Sequence, residues 1–214
     1  MKPLADLRED YTQAALELGQ VASDPFTQFE RWFEEARHAE VPEPNAMTLS
    51  TVGAEGQPYS RVVLLKGLEN GRFVFYTNYH SRKGLQLAAN PKVALNFLWL
   101  RQERQITIIG TAEKVDEAVS DSYFQSRPRG SQEGAWVSPQ SEPIENREVL
   151  EKRAQIIQAQ YADQPVPRPP HWGGYAVVPS QVEFWQGRTS RLHDRIVYTF
   201  ASENEHWSTQ RLAP

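Results

Sequence analysis

The chain has no cysteine, an absence that excludes a disulfide scaffold, a zinc finger, an iron–sulfur cluster and any thiol nucleophile. No apolar run approaches the ~18 residues needed to span a membrane, so no membrane insertion is expected. The opening residues, Met1 to Asp10, contain no apolar core and are too acidic for a transit peptide. The sequence therefore reads as that of a cytoplasmic protein. The five histidines, His38, His80, His171, His193 and His206, show no paired ligand spacing, and no metal site is expected. Also missing are a G-x-G-x-x-G after a strand, a G-x-x-x-x-G-K-[ST] loop, G-x-S-x-G and H-E-x-x-H. Difficult chemistry would then fall to a bound cofactor, with the protein supplying binding and orientation.

What is present is an ordinary globular composition over 214 residues. A chain of this mass exposes roughly 36,000 Å² unfolded and roughly 10,000 Å² folded, enough to bury a real core. We read residues 1–214 as one domain, with a helical segment over 1–40. The net charge of −4 argues against a general nucleic-acid binder. Its distribution is uneven: residues 1–40 hold nine Asp/Glu against four Lys/Arg, whereas residues 61–105 hold eight Lys/Arg against Glu69 and Glu103. Positive charge gathered within one segment of an acidic protein points to a small anionic ligand.

Asp24-Pro25 predicts a helix start, followed by Phe26, Phe29, Trp32, Phe33 and Ala36 at helical spacing. Strands are expected near 46–52, 59–66, 72–77, 92–99, 105–115, 174–183, 193–200 and 207–211, with short turns at Gly53 to Gly56 and Glu69 to Gly71. A helix over 81–89 interrupts them, and helices over 116–127, 131–137 and around Leu150 to Tyr161 follow. Gln164 to Pro170 reads as an extended surface connection. Eight or so antiparallel strands with flanking helices make the chain mainly β (α+β), a closed or partly closed barrel.

Four features could carry chemistry. Arg82 and Lys83 stand in the first turn of a helix, where cations oppose the dipole and an anion would reverse the sign. Arg61 and Lys66 bracket an apolar strand and, five residues apart, face opposite sides. Arg191, His193 and Arg195 would share one face of a strand, with Leu192 and Asp194 pointing away. Tyr123, Arg127 and Ser131 recur every four residues, and Ser131 could cap the helix after Arg127. Each also has a plain reading, as solvated cations, an exposed basic strand or a simple cap. Together they offer more than one anion site.

The run Val182-Glu183-Phe184-Trp185-Gln186-Gly187-Arg188-Thr189-Ser190-Arg191-Leu192-His193-Asp194-Arg195 closely resembles the signature of the pyridoxine/pyridoxamine 5′-phosphate oxidases. In order, Arg61 to Lys66, Phe75 to Asn78, Ser81 to Lys83, Glu103 to Gln105, Tyr123 to Pro128, Ser131 to Ser138, Trp172 to Gly174 and Arg211 to Pro214 also look like that family. The resemblance spans residues 7–214. It implies an antiparallel FMN-binding split β-barrel, a homodimer with FMN at the subunit interface. It also implies oxidation of phosphorylated B6 vitamers, pyridoxine or pyridoxamine 5′-phosphate, to pyridoxal 5′-phosphate, with electrons passed to O₂. By the same resemblance FMN falls to Arg61, Val62, Val63, Leu64, Leu65 and Lys66, to Tyr76, Thr77, Arg82 and Lys83, and to Gln105, Gln140, Ser141, Trp185 and Arg195. Substrate falls to Lys66, Tyr123, Arg127, Ser131, Arg191, Leu192 and His193, with Arg8 and Tyr11 closing over it. Arg191 and His193 would be catalytic, His193 as proton acceptor because imidazole titrates near neutrality. Glu9 and Ala14-Ala15 stand where family members often carry a basic residue and a Gly-Gly pair. A flavoenzyme acting on another substrate and a non-enzymatic flavin or pyridoxal phosphate carrier are the other readings.

Overall fold

Leu49, Leu95, Ile108 and Val182 lie opposite one another on four neighbouring strands and are fully buried, while the residues between them point outward. This is the period of two that a half-buried sheet imposes. The computed structural model describes residues 3–7, 10–203 and 205–214. Its strands are β1 (Ala46–Val52), β2 (Pro58–Leu64), β3 (Gly67–Glu69), β4 (Arg72–Asn78), β5 (Lys92–Trp99), β6 (Arg104–Lys114), β7 (Trp172–Gln186), β8 (Asp194–Ala201) and β9 (His206–Leu212). The expected set of about eight becomes nine because Gly67–Glu69 pairs with β4 across a turn in which Asn70 and Gly71 both have positive φ, 50° and 71°.

All pairings are antiparallel, in the order β2-β1-β5-β6-β7-β4-β3, with β8 added to β7 and β9 to β8. β2 and β3 end the path, yet only Leu65 and Lys66 separate them along the chain. The Leu65 N–H donates to the Asn45 carbonyl and the Lys66 N–H to the Val74 carbonyl, both at 2.8 Å. Two residues thus step from one sheet edge to the other and close a barrel. β7 divides its loyalties: Trp172 to Val177 pairs with β4, and Gln181 to Gln186 with β8.

The helices are α1 (Pro25–His38), α2 (Arg82–Ala89), α3 (Glu117–Ser126), α4 (Arg129–Val137) and α5 (Glu148–Gln160). The Asp24 side chain caps α1 by accepting from the Phe26 and Thr27 amides, and α1 lays Phe29, Trp32 and Ala36 on the barrel. A second small core joins Phe124, Tyr161, Val166 and Trp172. Val166 is fully buried and Pro169 is buried as well, so the expected surface connection in fact tucks two side chains inward.

Two local expectations fail. Residues 1–40 are not uniformly helical: among those described, only single turns at Leu4–Asp6 and Leu18–Gln20 precede α1. The helix propensity of Ala14-Ala15 is overridden because the Gln13 N–H donates to Glu103 at 2.9 Å and the Leu16 N–H to Asp194 at 3.0 Å. Nor does Ser131 cap α4. Pro128 holds Arg127 extended (ψ 149°), ending α3, and the next helix starts at once from Arg129, leaving Ser131 inside its first turn.

Candidate active site

Ser81 caps α2 by accepting from the Gly84 amide, which sets Arg82 and Lys83 in the first turn as expected. They line a cavity of about 380 Å³ with Tyr59, Ser60, Arg61 and Ser141. Arg61 donates only to neutral acceptors: the Leu49 carbonyl at 3.1 Å, Thr51 Oγ1 at 2.6 Å and Gln86 Oε1 at 3.2 Å. Lys83 Nζ donates to Gln140 Oε1 at 3.1 Å. Among the described residues none of Arg61, Arg82 and Lys83 joins an ion pair. Burial, and then the neighbouring Arg82, pulls the Arg61 guanidinium below its usual range. Burial, and then Arg61, does the same to the Lys83 ammonium. Cations held at such a cost are relieved by an anion, and this cavity opens on a helix N-terminus. Ser141 reaches it with φ 75°.

Lys83 also lines a second cavity, of about 490 Å³, together with Val62, Val63, Leu64, Lys66, Tyr76, Thr77, Gln140 and, from α3 and α4, Tyr123, Arg127 and Ser131. Leu65 turns inward to the core instead, while Arg61 and Lys66 line different cavities, although Lys66 lies beyond β2 and the strand alternation expected to part them does not reach it. Tyr76 stacks on Tyr123 (centroids 3.9 Å, 17°) and on Trp172 (5.4 Å, 10°), and burial pushes its hydroxyl up to about 12. The Arg127 guanidinium lies 4.6 Å over the Trp172 ring. Its Nη1 is buried without a partner, and burial lowers its pKa against the opposing effect of Tyr123. Trp172, Asn78, Pro128 and Ser138 also line this space; each belongs to a run that resembles the family, but none was assigned to a ligand from the sequence. Their types carry no chemistry that would have flagged them.

The remaining candidates lie elsewhere. Tyr11, Trp185, Arg191 and His193 line a cavity of about 630 Å³ with Leu7, Asp10, Arg188 and Ser190. The shared strand face expected for Arg191, His193 and Arg195 does not exist, because β8 begins only at Asp194. Thr189–Arg191 forms a single turn with Ser190 at φ 57° and Arg191 at φ 59°. Leu192 projects outward, 71% exposed. Asp194 pairs with neither Arg191 nor Arg195 but with Arg188 at 3.1 Å and Arg211 at 2.6 Å. Arg195 gives Nε and Nη2 to Glu183, each at 2.9 Å, so its charge is already compensated. The Arg188 N–H donates to His193 Nδ1 at 3.0 Å; the neutral ring then carries its proton on Nε2 and meets the cavity as a donor, where a proton acceptor was expected. Tyr11 packs at 5.9 Å from Trp185 and 5.8 Å from His193, and a Cβ on Gly187 would come within 2.7 Å of its ring. Arg8 lies outside the described residues.

The 490 Å³ and 630 Å³ cavities share no lining residue. They flank one outer barrel face: Val62, Thr48, Asn96, Thr107 and Glu183 form one cross-strand row, and Leu98, Gln105, Trp185 and Arg195 the next. Four strand steps separate Val62 from Glu183, roughly 20 Å at ~4.8 Å each. Among the described residues, groups of three or more potential metal ligands are absent, and no helix is long and apolar enough to cross a membrane.

Comparison with known proteins fits this geometry. The family model described as pyridoxamine 5′-phosphate oxidase matches residues 33–161, and that described as pyridoxine 5′-phosphate oxidase C-terminal dimerisation region matches 172–214. A pyridoxine/pyridoxamine 5′-phosphate oxidase of Trichormus variabilis is 56% identical over 213 residues, covering 100% of this chain and 99% of its own. One of Burkholderia lata is 55% identical over 215 residues, covering 100% of both. Among solved structures, PhzG of Burkholderia lata in complex with tetrahydrophenazine-1-carboxylic acid superposes with a TM-score of 0.86 at 31% identity, covering 92% of this chain and 95% of its own.

Proposed function

Because the chain belongs to the pyridoxamine 5′-phosphate oxidase family, we propose that it is an FMN-dependent oxidase. It converts pyridoxamine or pyridoxine 5′-phosphate to pyridoxal 5′-phosphate with O₂ as electron acceptor. The observation that carries this reading is the pair of uncompensated cation sets, Arg61/Arg82/Lys83 and Lys66/Arg127, in adjoining cavities that share Lys83. Two phosphorylated ligands, one cofactor and one substrate, account for both.

The residues suit FMN. Two desolvated cations, Arg61 and Lys83, with the exposed Arg82 beside them and no carboxylate partner, fit its terminal phosphate, and Val62, Leu64, Tyr76 and Thr77 offer the mixed lining a flavin ring requires. Bound there, FMN supplies the hydride acceptor and the route for electrons to O₂. The chain's own work is binding and orientation. Lys66, Tyr123, Arg127 and Ser131 take the substrate phosphate, satisfying the orphaned Arg127 Nη1. Arg191, permanently charged, and His193, donating from Nε2, orient the reacting substituent.

Arg191 and His193 reach that substrate from a second subunit. A two-fold interface on the outer face carrying Val62 and Leu98 would lay the 630 Å³ cavity of one copy against the 490 Å³ cavity of the other, each completing its partner's site. The description of residues 172–214 as a dimerisation region agrees.

A related flavoenzyme binding an unphosphorylated acid, as the PhzG complex does, is the competing reading. Substrate phosphate separates the two. Mixed anaerobically with yellow purified protein, pyridoxamine 5′-phosphate should bleach the flavin, and pyridoxamine should do so slower by several orders of magnitude, because buried cations would be left unpaired. Arg191→Ala and His193→Ala should each slow bleaching by ~10²-fold or more while FMN stays bound. Equal rates for the phosphorylated and free amines would remove the reading.

A further inference from the structure

We infer that Asp194 is a positioning residue that fastens three separate parts of the chain around Arg191 and His193, an inference resting on those two residues facing the substrate. Its side chain is 12% exposed, and every strong donor around it comes from a different element. Oδ2 accepts the Leu16 N–H at 3.0 Å from the amino-terminal segment and Arg188 Nη1 at 3.1 Å from the β7–β8 loop; Oδ1 accepts Arg211 Nη1 at 2.6 Å from β9. Arg211 returns to the amino-terminal segment, donating from Nη2 to the Leu16 carbonyl and to Glu17 Oε2, both at 2.9 Å.

The loop needs such a fastening. Ser190 and Arg191 are consecutive residues in the left-handed region, φ 57° and 59°. Side chains with a Cβ stay there only where the surroundings over-determine the backbone. Within the loop the Leu192 N–H donates to the Thr189 carbonyl at 3.1 Å and the Arg188 N–H to His193 Nδ1 at 3.0 Å. The bond from Arg188 to Asp194 ties the loop's second residue to the first residue of β8. Through the Leu16 amide the same carboxylate anchors the segment that brings Tyr11 against Trp185 and His193. Asp194 lines neither large cavity, so it acts through its partners and not on the substrate. No solvent can replace it, because the carboxylate is buried and charge-assisted on both oxygens.

The test uses the FMN-loaded protein carrying Asp194→Asn, with Arg211→Gln as a second variant that keeps the carboxylate and its bond from the Leu16 N–H but removes the bonds of Arg211 to Asp194, Leu16 and Glu17. Three quantities are read: kcat and KM for pyridoxamine 5′-phosphate, FMN affinity by titration, and hydrogen exchange of amides 11–17. Asp194→Asn should raise KM about tenfold or more, with a smaller change in kcat, and should speed exchange across 11–17. FMN affinity should stay near wild type, since Arg61 and Lys83 are untouched. Arg211→Gln should speed exchange similarly with a smaller KM effect, and it carries the test alone if Asp194→Asn does not fold. Wild-type KM and wild-type exchange in the variants would overturn the inference. A wild-type protein that does not oxidise pyridoxamine 5′-phosphate would sink the functional reading instead, while faster exchange over 11–17 would still support the fastening.

Discussion

Burial, and then the nearby Arg61, disfavour the charged form of Lys83, whose partners are the neutral oxygens of Gln140 and Ser81. A charge-assisted bond to a phosphate is worth ~1.5–3 kcal/mol, roughly ten- to 150-fold in affinity. Lys83→Ala should therefore weaken FMN binding by that factor in a fluorescence titration. Unchanged affinity would place the phosphate elsewhere. Arg195 makes the opposite case: its two bonds to Glu183 remove it as a free cation, and nothing in the order Arg191 to Arg195 announces a partner twelve residues back on β7.

At the scale of elements, α2 delivers its cations only because Gly84 lets the helix approach the end of β4. A Cβ at Gly84 would sit 2.3 Å from the Tyr79 carbonyl oxygen and 2.7 Å from that of Asn78, both backbone atoms that cannot swing aside. Helix propensity alone would make Gly84→Ala stabilising by up to ~1 kcal/mol, whereas overpacking of this kind costs ~1–3 kcal/mol or more. The clash wins. A melting experiment should show a drop of roughly 2–8 °C for a chain of this size, with weaker FMN retention as Arg82 and Lys83 shift. An unchanged or higher Tm would mean that α2 does not pack as described. The segment over 10–17 shows the same dominance of tertiary contacts, since two amide bonds to Glu103 and Asp194 hold its alanines out of a helix.

For the whole molecule, the proposed function has each of two copies completing the other's site. Val62 is 66% exposed on the outer barrel face, so Val62→Glu should change the stability of a lone chain by ~0.5 kcal/mol or less. In a two-fold interface the same carboxylate would be buried unpaired, a far larger penalty. Sedimentation should show the wild type at twice the 24.5 kDa chain mass and the variant shifted to monomer, with flavin released on dilution. A flavin-loaded, active monomer, or a variant that remains dimeric, would show that this face is not the interface.

Much of this was legible in residue order because it depends on short-range rules. The period of two in β5, the Asp24-Pro25 and Ser81 caps, the turn at Asn70-Gly71 and the cations opening α2 are local physics, and the structure has them where the sequence puts them. The family signature rests on side-chain identities, and order alone displays them. Other features needed the folded chain. Barrel closure depends on Leu65 and Lys66 bonding to residues on opposite sheet edges. The left-handed turn at Ser190-Arg191, the Glu183–Arg195 pair and the Asp194 junction arise from contacts between elements far apart in the chain. The sequence names the candidate site residues, but only tertiary packing decides that one chain holds Arg127 and His193 in two separate cavities, because the distance around a barrel is fixed by strand pairing and not by spacing along the chain.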